Sequence, residues 1–202
     1  MKNSDIVTLT LRVESFYGKL DKKIDDFRRK YGIHCIGECS RCCEYPRIKA
    51  SSLEFLPLAK QLWDMDRAVD IYRAITPDQN ICIFNRGEII NLSSGLCNVY
   101  EYRGLICRLF GYVSYQNKNN SASFFTCRTI YSTQKEKIMA LSQDTLYQEL
   151  PFYPDIVKQF NEINPSLAIQ KTAINTAIKK AIEFVYEKGY RPVSRFTLRK
   201  CA

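Results

Sequence analysis

Eight of the nine cysteines lie between Cys35 and Cys127, and four of them fall within nine residues, Cys35-Ile-Gly-Glu-Cys39-Ser-Arg-Cys42-Cys43. Thiols at this density either bind metal or form disulfides, and the compartment usually decides which. The start of the chain, Met1-Lys2-Asn3-Ser4-Asp5-Ile6-Val7-Thr8, is polar and then periodic, with no apolar run of a secretory leader. The expectation is therefore a cytoplasmic, reducing location, where clustered cysteines serve as metal ligands or redox groups. Adjacent Cα atoms stand about 3.8 Å apart, short of the roughly 4.4–6.8 Å of ordinary disulfides, so Cys42 and Cys43 are not expected to pair with each other. In an extended backbone their side chains would diverge, so the pair is expected to serve two sites, or one site and the packing around it.

Cys39-x-x-Cys42 has the spacing that lets two thiolates converge on one ion, the remaining ligands arriving from distant loops. The candidate metal ligands are Cys35, Cys39, Cys42, Cys43, Cys82, Cys97, Cys107 and Cys127. Eight thiolates satisfy two tetrahedral zinc sites, or one four-cysteine iron–sulfur cluster with four thiols left over. Iron is slightly favoured over zinc, because arginines beside the cysteines suit an anionic cluster and spare thiols suit redox chemistry. The competing reading is that these cysteines are small buried apolar residues. Arg41, Arg103 and Arg108 flank cysteines, where a guanidinium lowers a thiol's pKa and offsets anionic charge. Arg103 and Arg108 are the candidate cofactor-binding pair.

Other groups read more plainly. His34 is the single histidine and fits a loop residue better than a ligand or base. Tyr100 and Tyr102 could stack on a substrate ring, but their spacing fits local packing better. Cys201 reads as a lone thiol, and Arg191, Arg195, Arg199 and Lys200 as a solvated basic tail. No Ser-His-Asp set, phosphate-cradling glycine loop or nucleotide fingerprint is present. Whether the chain is an enzyme stays open.

Length and composition bound the class. At 202 residues the chain is expected to form one domain, with 46% hydrophobic and 25% charged residues placing it among ordinary globular proteins. No apolar run approaches the roughly 20 residues of a membrane span. The formal charge of +9 points to acidic partners, but it counts thiols as neutral. Two zinc sites using eight thiolates would bring it to about +5, so nucleic acid is a weak expectation.

The elements that must position the cysteines are mostly helical. Ile6, Leu9, Val13, Phe16, Leu20, Ile24, Phe27 and Tyr31 recur every three or four residues, predicting a helix over 1–31 that stops at Gly32. Ser51-x-x-Glu54 resembles a capping box, and Pro57 then implies a short turn followed by a helix from about Pro57. A further helix is predicted over Asp66–Ile75. From Thr76 to Ile130 periodicity is lost, which predicts an irregular segment organised by metal, with Asn117–Ser123 as an exposed loop tip. Thr133-x-x-Glu136 predicts a helix start running to about Leu150. Asn164 as cap and Pro165 at the first helical position predict a last helix through Val185 to Gly189.

Two blocks resemble a known family. Gly32-Ile33-His34-Cys35-x-x-x-Cys39-Ser40-Arg41-Cys42-Cys43 resembles the opening cysteine box of the YkgJ-like cysteine-cluster proteins, a family described as chelating zinc or iron and including the cysteine domain of flagellin lysine N-methylases. Cys82-Ile83-Phe84 and then Gly95-Leu96-Cys97 through Tyr102-Arg103-Gly104-Leu105-Ile106-Cys107-Arg108 resembles its second box, with Gly104 where the family usually has proline. The resemblance covers about residues 32–130. It implies metal binding, with a methyltransferase-like enzyme acting on protein lysine as one alternative function and a zinc-organised nucleic-acid binder as another.

The expectation is thus a mostly α protein: an irregular metal-bound cysteine-rich centre (32–130) flanked by amphipathic helices (1–31 and 131–202). Its expected partner is a metal ion, with a protein partner as a further candidate.

Overall fold

The computed structural model describes residues 3–35, 42–85 and 97–190. Helices dominate, and no described helix is long and apolar enough to cross a membrane. Helix α1 (Asn3–Tyr31) is followed by β1 (Lys49–Ala50), α2 (Leu56–Asp64), α3 (Ala68–Ala74), α4 (Leu105–Leu109), the hairpin strands β2 (Val113–Gln116) and β3 (Ala122–Phe125), then α5 (Arg128–Met139), α6 (Gln143–Gln148), α7 (Tyr153–Asn161), α8 (Pro165–Ala168), β4 (Thr172–Ala173) and α9 (Ile174–Glu187).

The apolar stripe of α1 is the spine of the core. Ile6, Leu9, Val13, Tyr17, Leu20, Ile24 and Phe27 are all buried. Tyr17 takes the place expected for Phe16, which is only half-buried, and both rings pack on Phe160 at 5.2 and 5.8 Å. The helix ends where Gly32 adopts φ +61° and its N–H reaches Arg28 O at 2.9 Å, a left-handed cap that glycine makes without Cβ strain. Against α1 lies α2, whose outer side meets α9. Ala177 and Ala181 of α9 are fully buried, and such small residues let the two helices approach closely.

The Ser51–Glu54 capping box is present, heading a 3₁₀ turn (Ser52–Phe55) that runs into α2. Pro57 sits in the first turn of α2, where a missing N–H costs nothing. The helix predicted over Asp66–Ile75 is α3.

Three expectations are corrected. The segment 76–130 is not wholly irregular, because Val113–Gln116 and Ala122–Phe125 form an antiparallel hairpin with Tyr115 opposite Ser123. Thr133 does not begin the element, although two helical segments meet one residue later, at Gln134. Helix α5 begins at Arg128, with the Cys127 Sγ accepting from Ile130 N–H at 3.3 Å, and the Thr133 hydroxyl donates backward to Thr129 O at 2.9 Å inside it. The chain then breaks before α6, which Ser142 caps. The predicted last helix is also divided. Asn164 does cap α8, accepting from Leu167 N–H, but Thr172 and Ala173 leave the helix to pair with Ala50 and Lys49. Between them Lys171 forms an ion pair with Glu54 at 2.7 Å, so tertiary contacts override the helical period there.

Candidate metal centre

Seven of the eight clustered cysteines lie in the described residues, none of them in a disulfide. Cys39 lies outside the described residues, as do Arg41 and Cys201. Cys42 and Cys43 occupy a turn, not extended backbone, and their Sγ atoms are 4.0 Å apart. That corrects the expected divergence. With Zn–S bonds of about 2.3 Å, two ligands of one tetrahedral ion stand about 3.8 Å apart, so the vicinal pair is spaced like two corners of a single site.

The second block folds back onto this pair. Asn85 N–H closes a turn on Cys82 O at 2.9 Å, and a backbone bridge joins Asn85 to Cys97. Cys97 is thereby brought close enough to Cys43 for each thiol to shift the other's pKa. Cys107 enters from the first turn of α4, and its charge would act on the same sulfurs as those of Cys82, Cys97 and Cys42.

Electrostatics divides these five thiols. A hydrogen bond from Cys43 is the main cause holding Cys42 down to about 6, with the Arg103 guanidinium assisting. The same donor holds Cys97 down to about 7. Cys43 is correspondingly pushed up, since losing its proton would set a third charge beside two thiolates. Burial pushes Cys82 up to about 12 and Cys107 well above its ordinary range. Cys42 and Cys97 are therefore the thiols that ionise most readily, and a metal must displace protons from Cys43, Cys82 and Cys107.

Cys35 and Cys127 both act on Tyr112. Burial pushes the Tyr112 phenol up to about 12, and charges on Cys35 and Cys127 add to that shift. The Tyr112 hydroxyl donates to Ile33 O at 3.4 Å. Among the described residues no three His, Cys, Asp or Glu side chains are grouped closely enough to hold a metal ion. The donors fit thiolate coordination in type and, at Cys42–Cys43, in spacing.

Residues 34–162, well over half the chain, match the CxxCxxCC family model, described as a putative zinc- or iron-chelating domain. The chain belongs to the CxxCxxCC family. No curated protein and no solved structure matches it. The matched CxxCxxCC stretch spans all eight clustered cysteines and continues through α5, α6 and α7, beyond the 32–130 in which the resemblance was read.

Within the CxxCxxCC domain the two flagged arginines take different places. Arg103 lies over the Tyr100 ring at 4.0 Å, and its charge lowers both Cys42 and Cys97. Arg108 is 6% exposed and faces α1, pairing with Asp21, lying over Tyr17 at 4.3 Å and donating to Arg103 O at 3.0 Å. Consecutive residues on a helix point about 100° apart, so adjacency to Cys107 does not aim Arg108 at sulfur. Tyr100 is 49% exposed and thus a surface stacking partner for Arg103, not local core. His34 is exposed, with its backbone held by the Gln134 amide.

Sequence reasoning took Glu54 as a capping residue only. Its carboxylate is 1% exposed and also reaches Ile106 N–H at 3.1 Å, beside Cys107. Gly104, the N-cap of α4, has no side chain to cap it, so a carboxylate from another element does so. A Cβ at Gly104 would sit 2.9 Å from Phe55 Cζ and 3.1 Å from Glu54 Oε2, so close approach is what glycine supplies there. The family's usual proline would bring the same crowding.

Proposed function

We propose that this chain binds zinc or iron through cysteine thiolates, with Cys42, Cys43, Cys82, Cys97 and Cys107 forming the main donor group. The carrying observation is the Cys42–Cys43 sulfur pair at 4.0 Å, in a stretch that matches a family of zinc- or iron-chelating domains. Cys42 and Cys97, whose pKa values are held down by Cys43 and Arg103, make first contact with a cation. Cys43, Cys82 and Cys107 give up protons as it binds. Arg103 offsets part of the negative charge that accumulates. Cys35, Cys39 and Cys127 supply the remaining donors in this reading. Bound iron–sulfur would supply one-electron transfer, and bound zinc would cross-link the loops that carry the cysteines.

The Arg103 charge acting on Cys42 and Cys97 suits an anionic cluster, and thiols beyond the four that one cluster uses suit redox chemistry, which favours iron slightly and a redox role with it. The reducing cytoplasm is the setting this chemistry suits. Elemental analysis with an optical spectrum of anaerobically purified protein tests the reading. Iron with broad visible absorbance that bleaches with dithionite supports a cluster. Colourless protein holding about two zinc ions per chain moves the role from redox to structural. Cys97→Ser should lower metal content in either case, and unchanged content would remove Cys97 from the ligand set.

A further inference from the structure

Helix α5 is distorted at one residue. Gln134 has φ −137° and ψ 27°, outside the helical region, in a helix that contains neither proline nor glycine. Kinks without those residues arise where something intrudes on the helical ladder or draws a residue out of it. At Gln134 the side chain is the part engaged. Its Oε1 accepts the His34 N–H at 2.8 Å and its Nε2 donates to His34 O at 2.6 Å, the two-bond pattern that a neighbouring strand would make. One turn along, Lys137 Nζ donates to Gly32 O at 2.9 Å, and Tyr112 donates to Ile33 O at 3.4 Å. Three consecutive carbonyls are thus held by side chains, and the next residue is Cys35. The same helix carries Cys127 at its N-cap.

We infer that Gln134 is a positioning residue for the metal centre: its amide clamps the His34 backbone and thereby fixes Cys35 against Cys127 for ligation. The inference rests on the metal-binding reading and assigns a task to a side chain with no metal-binding chemistry of its own. Ile33 is fully buried, which anchors one end of the clamped segment, whereas Cys35 and His34 are exposed. Gln134 is only half-buried, so its replacement removes the clamp without opening the core.

The test is site-resolved alkylation of anaerobically purified protein by iodoacetamide, read by peptide mass spectrometry, in wild type, Gln134→Ala and Gln134→Glu. Glutamate keeps the shape and the acceptor for His34 N–H but sets a second oxygen against His34 O. Both variants should lose protection of Cys35 by about 10–100-fold, the range for removing a partner that orients a metal ligand. Cys42, Cys43 and Cys97 should keep wild-type protection, and the melting curve should be unchanged. Metal-loaded wild type with Cys35 unprotected, or variants with Cys35 still protected, would overturn the inference and leave the metal reading standing. Equal loss of protection at every cysteine would make Gln134 a general stabiliser and overturn it too. Wild type that carries no metal would overturn the reading beneath it.

Discussion

Removing the carboxylate of Glu54 should cost far more than a lost helix cap. The side chain is 1% exposed and accepts from Ser51 N–H at 2.9 Å, Ser51 Oγ at 3.2 Å and Ile106 N–H at 3.1 Å, beside the ion pair with Lys171 at 2.7 Å. In Glu54→Ala the Ser51 hydroxyl can rotate to another partner, and Lys171, itself 35% exposed, can turn to water. The Ser51 and Ile106 N–H groups cannot move. A buried donor left without a partner costs about 1–3 kcal/mol, so the two together cost about 2–6 kcal/mol. With a urea dependence of about 2 kcal/mol per molar, the unfolding midpoint should fall by about 1–3 M. Lys171→Met leaves both N–H bonds in place but strips a buried carboxylate of its cation; because Glu54 can then take up a proton, the midpoint should fall, but less. A Glu54→Ala shift below about 0.5 M at unchanged slope, or a larger effect from Lys171→Met, would refute the reasoning.

Three further perturbations follow from the same geometry. Gly104→Ala forces a methyl to within 2.9 Å of Phe55 Cζ and should destabilise by about 1–3 kcal/mol in urea; a neutral result would mean that Phe55 and Glu54 yield freely. Arg108→Met should lower the melting temperature by removing its bonds to Asp21 and to Arg103 O, with Arg103 left at 3.8 Å from Asp21, yet leave the optical spectrum of the metal-loaded protein unchanged, whereas Arg103→Met should alter that spectrum; the opposite pattern would exchange the roles given to the two arginines. In reduced, metal-free protein, burial raises Cys82 from 9.0 and Tyr112 from 10.0, each to about 12. Groups raised in the folded state contribute stability fully present below their unfolded values and lost as pH climbs through the folded ones, so urea stability should decline from about pH 9 to pH 12, and a flat profile there would contradict the assignment.

The α1 stripe was legible because 29 residues of one period leave little room for another element, and its end was marked by glycine. The cysteine chemistry was legible from residue type and spacing alone. What the sequence did not carry was direction. Whether Cys42 and Cys43 face one site or two depends on a turn conformation that no neighbouring residue type specifies. Arg108 was placed near sulfur by adjacency, but helical geometry turns it toward Asp21 on α1, 87 residues away in sequence. The split of the last helix was hidden for a similar reason: the Glu54–Lys171 pair and the Thr172–Ala50 pairing span well over a hundred residues. Gln134 gave no signal, since an amide in a polar helix looks like surface until its partner is known. The hairpin strands are four residues each, too short for alternation to stand out.

The central claim, that these thiols hold metal, is tested most directly by comparing the mass of anaerobically purified chain under native and denaturing conditions. Zinc or iron bound through the cysteines predicts a native mass higher by the mass of the metal, returning on denaturation to that of a fully reduced polypeptide. Equal masses in the two conditions, with the deficit that several disulfides would leave, would contradict it.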